Sequence, residues 1–172
     1  MDKVNALKQS DLFYNLSQEQ LQMVAAITEE RHVLQDEFVF HEGDSSREVF
    51  VIVSGSIEVS HRNYNQALYG ADQQILDSDV VVLATLTSGQ SFGEIAFIDK
   101  ASREASVRSR APDTLLLSIA ADALMALCEA NPALGFLILR NIAKDLAFII
   151  RELDLHMLGQ IYWNGPVVDD ES

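Results

Sequence analysis

Cysteine is almost absent from this sequence, and its scarcity sets the first limit on the fold. Among the 172 residues Cys128 is the single cysteine, so no disulfide can form within the chain. A disulfide framework is therefore excluded, and a reducing compartment is expected. Because Cys128 lies in an apolar helical pattern, we expect its thiol to be buried and unreactive.

Basic residues and histidines are also few, which argues against two classes of function. The chain has 12 Lys and Arg against 26 Asp and Glu, a formal net charge of −14. A surface this acidic repels phosphate backbones, so direct nucleic-acid binding is not expected. The histidines (His32, His41, His61 and His156) are scattered without the spacing of metal ligands, so no metal site is expected.

The sequence also lacks long hydrophobic runs and the motifs of common enzymes. No window approaches the ~18 uninterrupted apolar residues of a membrane helix, and the start of the chain has no apolar targeting run. There is no nucleophile elbow, no Walker loop and no extended glycine-rich dinucleotide fingerprint. We therefore expect a cytoplasmic protein that is not an enzyme and does not contact a membrane.

What the sequence does contain is enough apolar residues for one globular domain. Hydrophobic residues make up 48% of the chain, and at this length a continuous core can form without disulfides or metals. A capping box from Ser17 to Gln20 precedes a helical pattern, so residues 1–30 are expected to form a helical segment. Short β-runs separated by glycine turns then predict a β-roll over residues 31–118.

Two helices are predicted after the β-roll, within residues 119–160. The first covers residues 122–130, and the second is long, from about 132 to 158. One apolar stripe of the long helix recurs at spacings of three and four residues and predicts a homodimer seam: Leu139, Ile142, Leu146, Ile149 and Leu153. A second stripe is expected to pack on the β-roll: Leu137, Ala143, Ala147 and Ile150.

Two segments fall outside this regular pattern. Residues 62–79 interrupt the β-runs and are interpreted as an insertion, either a flexible surface loop or a loop that contacts a partner protein. Residues 161–172 form an acidic tail that is expected to fray. The predicted domain therefore covers residues 1–160.

The most informative stretch is residues 89–107. Phe92, Gly93 and Glu94 open a short apolar turn, and Arg103 follows nine positions after the glutamate. Glycine lets a backbone approach a ligand closely, a carboxylate accepts hydrogen bonds from sugar hydroxyls, and arginine suits a phosphate. Together these residues indicate a binding site of nucleotide size rather than a reaction centre.

This stretch resembles the phosphate-binding cassette of cyclic nucleotide-binding domains, the family found in the bacterial cyclic AMP receptor protein and in protein kinase A regulatory subunits. The resemblance implies a mainly β fold with α-helices: a double-stranded β-helix, or jelly-roll-like β-roll, flanked by N-terminal helices and two C-terminal helices, the last one long. The positions of the candidate site are Phe92, Gly93, Glu94, Ile95, Ala96, Arg103, Glu104 and Ala105.

The resemblance also implies a ligand, cyclic AMP or cyclic GMP, and a role for each cassette residue. Glu94 would hold the ribose 2′-hydroxyl and Arg103 the cyclic phosphate. The amides around Ile95 and Ala96 would cap that phosphate at the start of a short helix. In the transcription-factor branch of the family a DNA-reading domain follows the long helix. We expect none here, and an unknown protein partner would receive the signal.

Two positions depart from the family pattern. Ser102 replaces the usual proline, and Glu104 stands where the family has Ala, Ser or Thr. A carboxylate 4 Å from a phosphate would cost about 4 kcal/mol at an effective dielectric near 20. Two hypotheses therefore stand: a cyclic nucleotide sensor that signals to a partner, or a degenerate domain. In the second, Glu104 pairs with Arg103, and the domain serves dimerisation or protein interaction without a ligand.

Overall fold

The computed structural model describes residues 1–62 and 80–163, with side chains described as far as residue 151. Residues 63–79 of the predicted insertion and 164–172 of the predicted tail lie outside this part. The elements in chain order are α1 (Lys3–Lys8), α2 (Gln18–Ala26), β1 (Thr28–Leu34), β2 (Phe38–Phe40), β3 (Glu48–Ser54), β4 (Ser56–Arg62), β5 (Val80–Thr87), β6 (Ser91–Phe92), α3 (Glu94–Asp99), β7 (Ser106–Ser109), β8 (Asp113–Ala120), α4 (Ala121–Ala130) and α5 (Pro132–Trp163).

The strands form two antiparallel sheets that face each other. One sheet has the order β1-β8-β3-β6 and the other β2-β7-β4-β5. Alternating apolar residues from both sheets meet in a core that contains Phe40, Phe50 and Phe92. The rings of Phe50 and Phe92 stack with their centroids 5.0 Å apart. This architecture confirms the predicted β-roll with flanking helices.

A second core joins the helices to the β-roll. It brings together buried residues of α1, α2, α4 and α5 with residues of β3 and β8. The predicted capping box is present at α2, where Ser17 accepts from the Gln20 amide and the Gln20 side chain accepts from the Ser17 amide. Cys128 is buried in this core, and burial raises the pKa of its thiol, as expected for an unreactive cysteine.

The first strand begins earlier than the sequence pattern predicts. β1 starts at Thr28, inside the segment predicted to be helical, and pairs with β8 from Thr28 opposite Ile119. Its charged residues Glu29 and Glu30 are exposed. Because only part of one face is buried, the apolar alternation that marks a strand is weak here.

The long helix packs through a different face from the one predicted. Ile142 is 3% exposed and packs in the helical core, with Leu146 partly buried against it, whereas Leu139 and Ile149 are 47% and 45% exposed. The predicted seam is therefore not one exposed face, and Leu153 lies outside the described side chains. Within the second predicted stripe Leu137 and Ala147 are half-buried, whereas Ala143 and Ile150 are exposed. The residues that pack on the domain are Leu134, Ile138, Asn141 and Ile142.

Candidate functional site

The candidate site is built around a glycine between β6 and α3. Gly93 has φ +86° and precedes Glu94, the first residue of α3. A Cβ atom at this position would lie 2.7 Å from the carbonyl oxygen of Glu48 and 2.8 Å from Nη1 of Arg103. Both the left-handed backbone and the close approach require glycine. The space beside this glycine is therefore filled by the chain's own Glu48 carbonyl and Arg103 guanidinium.

Arg103 is almost fully enclosed by the loop and strand around it. Its side chain belongs to a residue that is 3% exposed. Nη2 donates to the carbonyl of Glu48 at 2.7 Å, Nη1 donates to the carbonyl of Gly93 at 3.2 Å, and Nε donates to Oγ of Ser46 at 3.2 Å. These bonds fix the guanidinium plane against β3 and the start of α3.

The environment of Arg103 also includes an aromatic face and nearby carboxylates. The guanidinium carbon lies 4.0 Å from the centroid of the Phe40 ring, within the range of a cation–π contact. Burial lowers the pKa of Arg103, while the negative charges of Glu48, Asp44 and Glu94 oppose that shift. An arginine keeps its proton under such conditions. The site therefore holds a fixed positive charge.

The main chain of Arg103 is equally well fixed. Its N–H donates to the carbonyl of Asp44, and its carbonyl accepts from the N–H of Gly43, both at 2.8 Å. The turn that contains these two residues is closed by a hydrogen bond from the His41 amide to the Asp44 carboxylate. The loop before β7 is thus pinned to the loop after β2.

Unlike the Arg103 guanidinium, the Glu94 carboxylate is not fully hydrogen-bonded by the residues that the structure describes. Its Oε2 atom is buried and has no hydrogen-bond partner within the described part of the chain. Burial raises the pKa of Glu94, and the negative charges of Asp145 and Asp11 add to the rise, while its own backbone N–H and Arg103 act against it. An unsatisfied buried oxygen is costly. The structure therefore brings Glu94 and Arg103 close enough for their charges to interact and leaves one carboxylate oxygen unpaired.

The remaining cassette residues divide into a buried and an exposed set. Phe92 and Ala96 are buried, with 5% and 4% of their surface exposed, and belong to the packing around the site. Ile95 is 41% exposed. Ala105 is half-buried, and Glu104 is exposed.

Glu104 does not occupy the position that the degenerate-domain hypothesis expects. The three side-chain hydrogen bonds of Arg103 go to Ser46, Gly93 and Glu48. The carboxylates whose charges act on Arg103 are those of Glu48, Asp44 and Glu94. Among the described contacts, Glu104 meets a neighbour through its main chain, since its carbonyl lies 3.1 Å from Nδ1 of His61.

Several residues of the site were not predicted from the sequence. Arg103 is held by Ser46, Glu48 and Phe40. Glu48 is 55 residues and Ser46 is 57 residues away from Arg103 along the chain. Asp11 and Asp145 come from opposite ends of the domain. No local motif marks these residues, because their role depends on which strands and helices meet in the fold.

Two further observations concern other classes of site. Across residues 1–62 and 80–151, no group of three or more His, Cys, Asp or Glu side chains is placed to hold a metal ion. Among the helices of the same part of the chain, none has the length and apolar content needed to cross a membrane.

Comparison with known protein families places this geometry in context. The family model of the cyclic nucleotide-binding domain matches residues 30–131. The cyclic AMP receptor protein of Thermus thermophilus is 28% identical over 151 residues, which cover 88% of this chain and 62% of the receptor. An uncharacterized NTE family protein of Mycobacterium tuberculosis is also 28% identical, over 84% of this chain but 22% of that protein. The chain thus spans less than two thirds of these relatives.

Solved structures show the same fold. The catabolite activator protein of Thermus thermophilus superposes with a TM-score of 0.68 at 27% identity, covering 86% of this chain and 62% of the other. A cyclic nucleotide-binding domain from Methylobacillus flagellatus gives a TM-score of 0.73 at 22% identity, over 96% and 85% of the two chains. The regulatory domain of Toxoplasma gondii PKA, crystallised with cAMP, gives 0.58 at 24% identity, over 73% and 42%.

Proposed function

Because the chain belongs to the cyclic nucleotide-binding domain family, we propose that it is a regulatory module that binds cyclic AMP and signals to a partner protein. The observation that carries this proposal is the buried Oε2 of Glu94, which lies near the charge of Arg103 and has no hydrogen-bond partner among the described residues. Domains of this family are regulatory rather than catalytic. Support for cyclic AMP comes from the names of the Thermus receptor and the Toxoplasma complex.

Glu94 is suited to the ribose of such a ligand. Its buried Oε2 atom is an acceptor without a donor among the described residues, and a ribose 2′-hydroxyl can donate a hydrogen bond to it. A hydrogen bond to a carboxylate contributes about 1.5 to 3 kcal/mol. A ligand hydroxyl at this position would therefore remove the desolvation cost that Glu94 carries in the free protein.

Arg103 and the start of α3 are suited to the cyclic phosphate. Each terminal nitrogen of a guanidinium carries two N–H groups, and Nη1 and Nη2 of Arg103 each use one on a carbonyl. Among the described residues the second N–H of each has no acceptor assigned to it, so it could donate to an anion. The first amides of α3, including those of Ile95 and Ala96, have no partner within a helix. These two sets of donors would share the phosphate oxygens.

Signal transfer would run through α5. A ligand that binds one arrangement of the cassette better than another shifts the population toward that arrangement. The negative charge of Asp145 on α5 adds to the rise in the pKa of Glu94, so α5 and the cassette are electrostatically linked. We therefore assign α5 the role of a movable element that reports ligand binding to a partner protein.

Homodimerisation through α5 remains part of the proposal, with a revised face. This helix exposes more large apolar side chains than the surface of a monomer usually does. Their exposed fractions are Phe136 (64%), Leu139 (47%), Phe148 (63%), Ile149 (45%) and Ile150 (58%). Phe136→Glu together with Ile150→Glu should shift the sedimentation coefficient from dimer to monomer. A monomeric wild-type protein at tens of micromolar would remove the dimer from the account.

The alternative function is a degenerate domain that acts as a dimerisation or interaction module without a ligand. Glu104 motivates it, because a carboxylate next to Arg103 in the sequence repels a phosphate. The exposed position of Glu104 and the separate partners of Arg103 weaken this alternative.

Calorimetric titration with cyclic AMP and cyclic GMP tests the proposal. We expect saturable heat with cyclic AMP and one site per chain. A protein that shows no heat and no thermal shift at millimolar nucleotide, while Glu104→Ala gains binding, would establish the degenerate domain. Absence of binding in both proteins would reject the cassette as a nucleotide site.

A further inference from the structure

A buried asparagine connects the long helix to the N-terminal turn. Asn141 of α5 is 3% exposed. Its Nδ2 donates to the carbonyl of Leu12 and to the carbonyl of Tyr14, both at 2.9 Å. These bonds span more than a hundred residues of sequence and join the two ends of the domain.

The position of this amide makes it suited to fixing a register. Its neighbours on the packing face of α5 are apolar, including Ile138 and Ile142. Apolar contacts tolerate small shifts of a helix, whereas hydrogen bonds to two carbonyls do not. A shift of one residue turns a helical side chain by about 100°. Any such shift of α5 would break both bonds of Asn141 and leave buried polar groups unpaired.

The turn at residues 11–14, which Asn141 holds, is also hydrogen-bonded to the cassette. The amide of Asp11 donates to the carbonyl of Gly89 at 3.1 Å. The hydroxyl of Ser91 donates to the carboxylate of Asp11 at 3.0 Å, and that carboxylate also accepts from the Leu12 amide at 2.7 Å. Ser91 begins β6, which leads directly into Gly93 and α3. Hydrogen bonds thus run from α5 through residues 11–14 to the cassette.

We propose that Asn141 is a positioning residue that fixes the register of α5 and couples the helix to the cassette through the turn at residues 11–14. The coupling to ligand rests on the proposed function, whereas the positioning role does not. Loss of the amide releases α5 without unfolding the β-roll.

Amide hydrogen exchange on the full chain tests this inference. Asn141→Leu keeps a similar volume and removes both donors. We expect protection of amides 142–151 to fall about thirtyfold, from two lost hydrogen bonds, with a smaller fall at residues 91–98 and no change in β3 and β8. Unchanged α5 protection, or an equal fall throughout the β-roll, would overturn the proposal.

Asn131 provides a matched control. Its Nδ2 also donates to a backbone carbonyl, that of Leu127 at 3.2 Å, but at the junction of α4 and α5. Asn131→Leu should leave residues 91–98 unchanged, and a fall there would contradict a specific role for Asn141. With cyclic AMP added, the wild type should change protection in α5 and Asn141→Leu should not. A wild type that binds no nucleotide rejects the proposed function, while exchange in the free protein still decides the role of Asn141.

Discussion

The two charged residues of the cassette, Arg103 and Glu94, differ in how far the protein itself supplies their hydrogen-bond partners. At the arginine end, Arg103 is held by the carbonyls of Glu48 and Gly93 and by the Phe40 ring. At the glutamate end, Glu94 keeps a buried oxygen without a partner among the described residues and lies under the influence of Asp11 and Asp145. The chain itself supplies the groups that hold Arg103, whereas one buried oxygen of Glu94 has no partner among the described residues.

This difference separates a structural contribution from a ligand-dependent one. Arg103 stabilises the fold whether or not a phosphate arrives, because its partners are parts of the chain. Glu94 carries a desolvation cost that nothing in the described protein offsets. Of the two residues, the glutamate therefore gives the stronger indication that a ligand binds here.

The largest expected effect is at the arginine end. Arg103→Ala removes the hydrogen bonds to Glu48, Gly93 and Ser46 and the cation–π contact with Phe40, so the free energy of unfolding should fall by about 4 kcal/mol. Urea denaturation measures this value. Arg110→Ala serves as the control, because the ion pairs of Arg110 involve a side chain that is 43% exposed and such pairs contribute about 0 to 1 kcal/mol. Equal losses in both variants would contradict a structural role for Arg103.

The second prediction concerns Gly93, which lies beside the Arg103 guanidinium and directly precedes Glu94. Gly93→Ala introduces a Cβ atom that clashes with the Glu48 carbonyl and the Arg103 guanidinium. It also places a side chain on a residue whose φ is +86°. We expect a loss of about 2 kcal/mol in the free energy of unfolding, measured by the same denaturation. Gly43→Ala is a useful control, because φ is +87° there and nothing lies within 4 Å of its Cβ. If Gly43→Ala were as damaging, backbone strain rather than crowding would explain the loss.

The glutamate end should respond to pH. The folded-state pKa of Glu94 is raised, chiefly by burial, so its stabilising contribution is complete below the unfolded pKa and is lost as pH rises through the folded value. Glu94→Gln does not titrate. Its advantage in unfolding free energy over the wild type should be present at pH 7 and absent below about pH 4. A difference that is constant with pH would show that Glu94 is not an isolated buried acid.

Glu94→Gln should also weaken the binding of cyclic AMP. Replacing the carboxylate by an amide changes a charge-assisted hydrogen bond into a neutral one. We expect cyclic AMP affinity to fall about tenfold, as measured by calorimetry at pH 7. Weaker binding together with greater stability is the combination that distinguishes a ligand-binding acid from a structural one.

Glu104 should show the smallest effect. Because its side chain is exposed, Glu104→Ala should change the free energy of unfolding by less than about 0.5 kcal/mol. Removal of a screened negative charge near the phosphate should raise cyclic AMP affinity about threefold. A gain of about a thousandfold would instead mean that Glu104 blocks the site and that the degenerate-domain alternative is correct.

What could be predicted from the sequence depended on distance along the chain. The capping box at Ser17 is a local feature, and its pattern was sufficient. The short helix that begins at Glu94 was implied by the family resemblance. β1 was missed over residues 28–30 because its glutamates hide the strand alternation. The face of α5 that packs was also missed, since Asn141 and not an apolar stripe bonds it to Leu12 and Tyr14.

The candidate site was predicted in the same uneven way. The spacing of Glu94 and Arg103 was visible in the sequence, and the structure brings their charges together. The partners of Arg103 could not be predicted, because Ser46 and Glu48 reach it through the pairing of strands and loops far apart in sequence. The roles assigned to the cassette residues remain proposals.

The most direct measurement compares cyclic AMP with 2′-deoxy cyclic AMP in calorimetric titrations of the wild-type protein. The two ligands differ only in the hydroxyl that Glu94 is proposed to accept. We expect cyclic AMP to bind at one site per chain and the deoxy analogue to bind at least about tenfold more weakly. Equal affinities, or no heat from either nucleotide at millimolar concentration, would contradict the account.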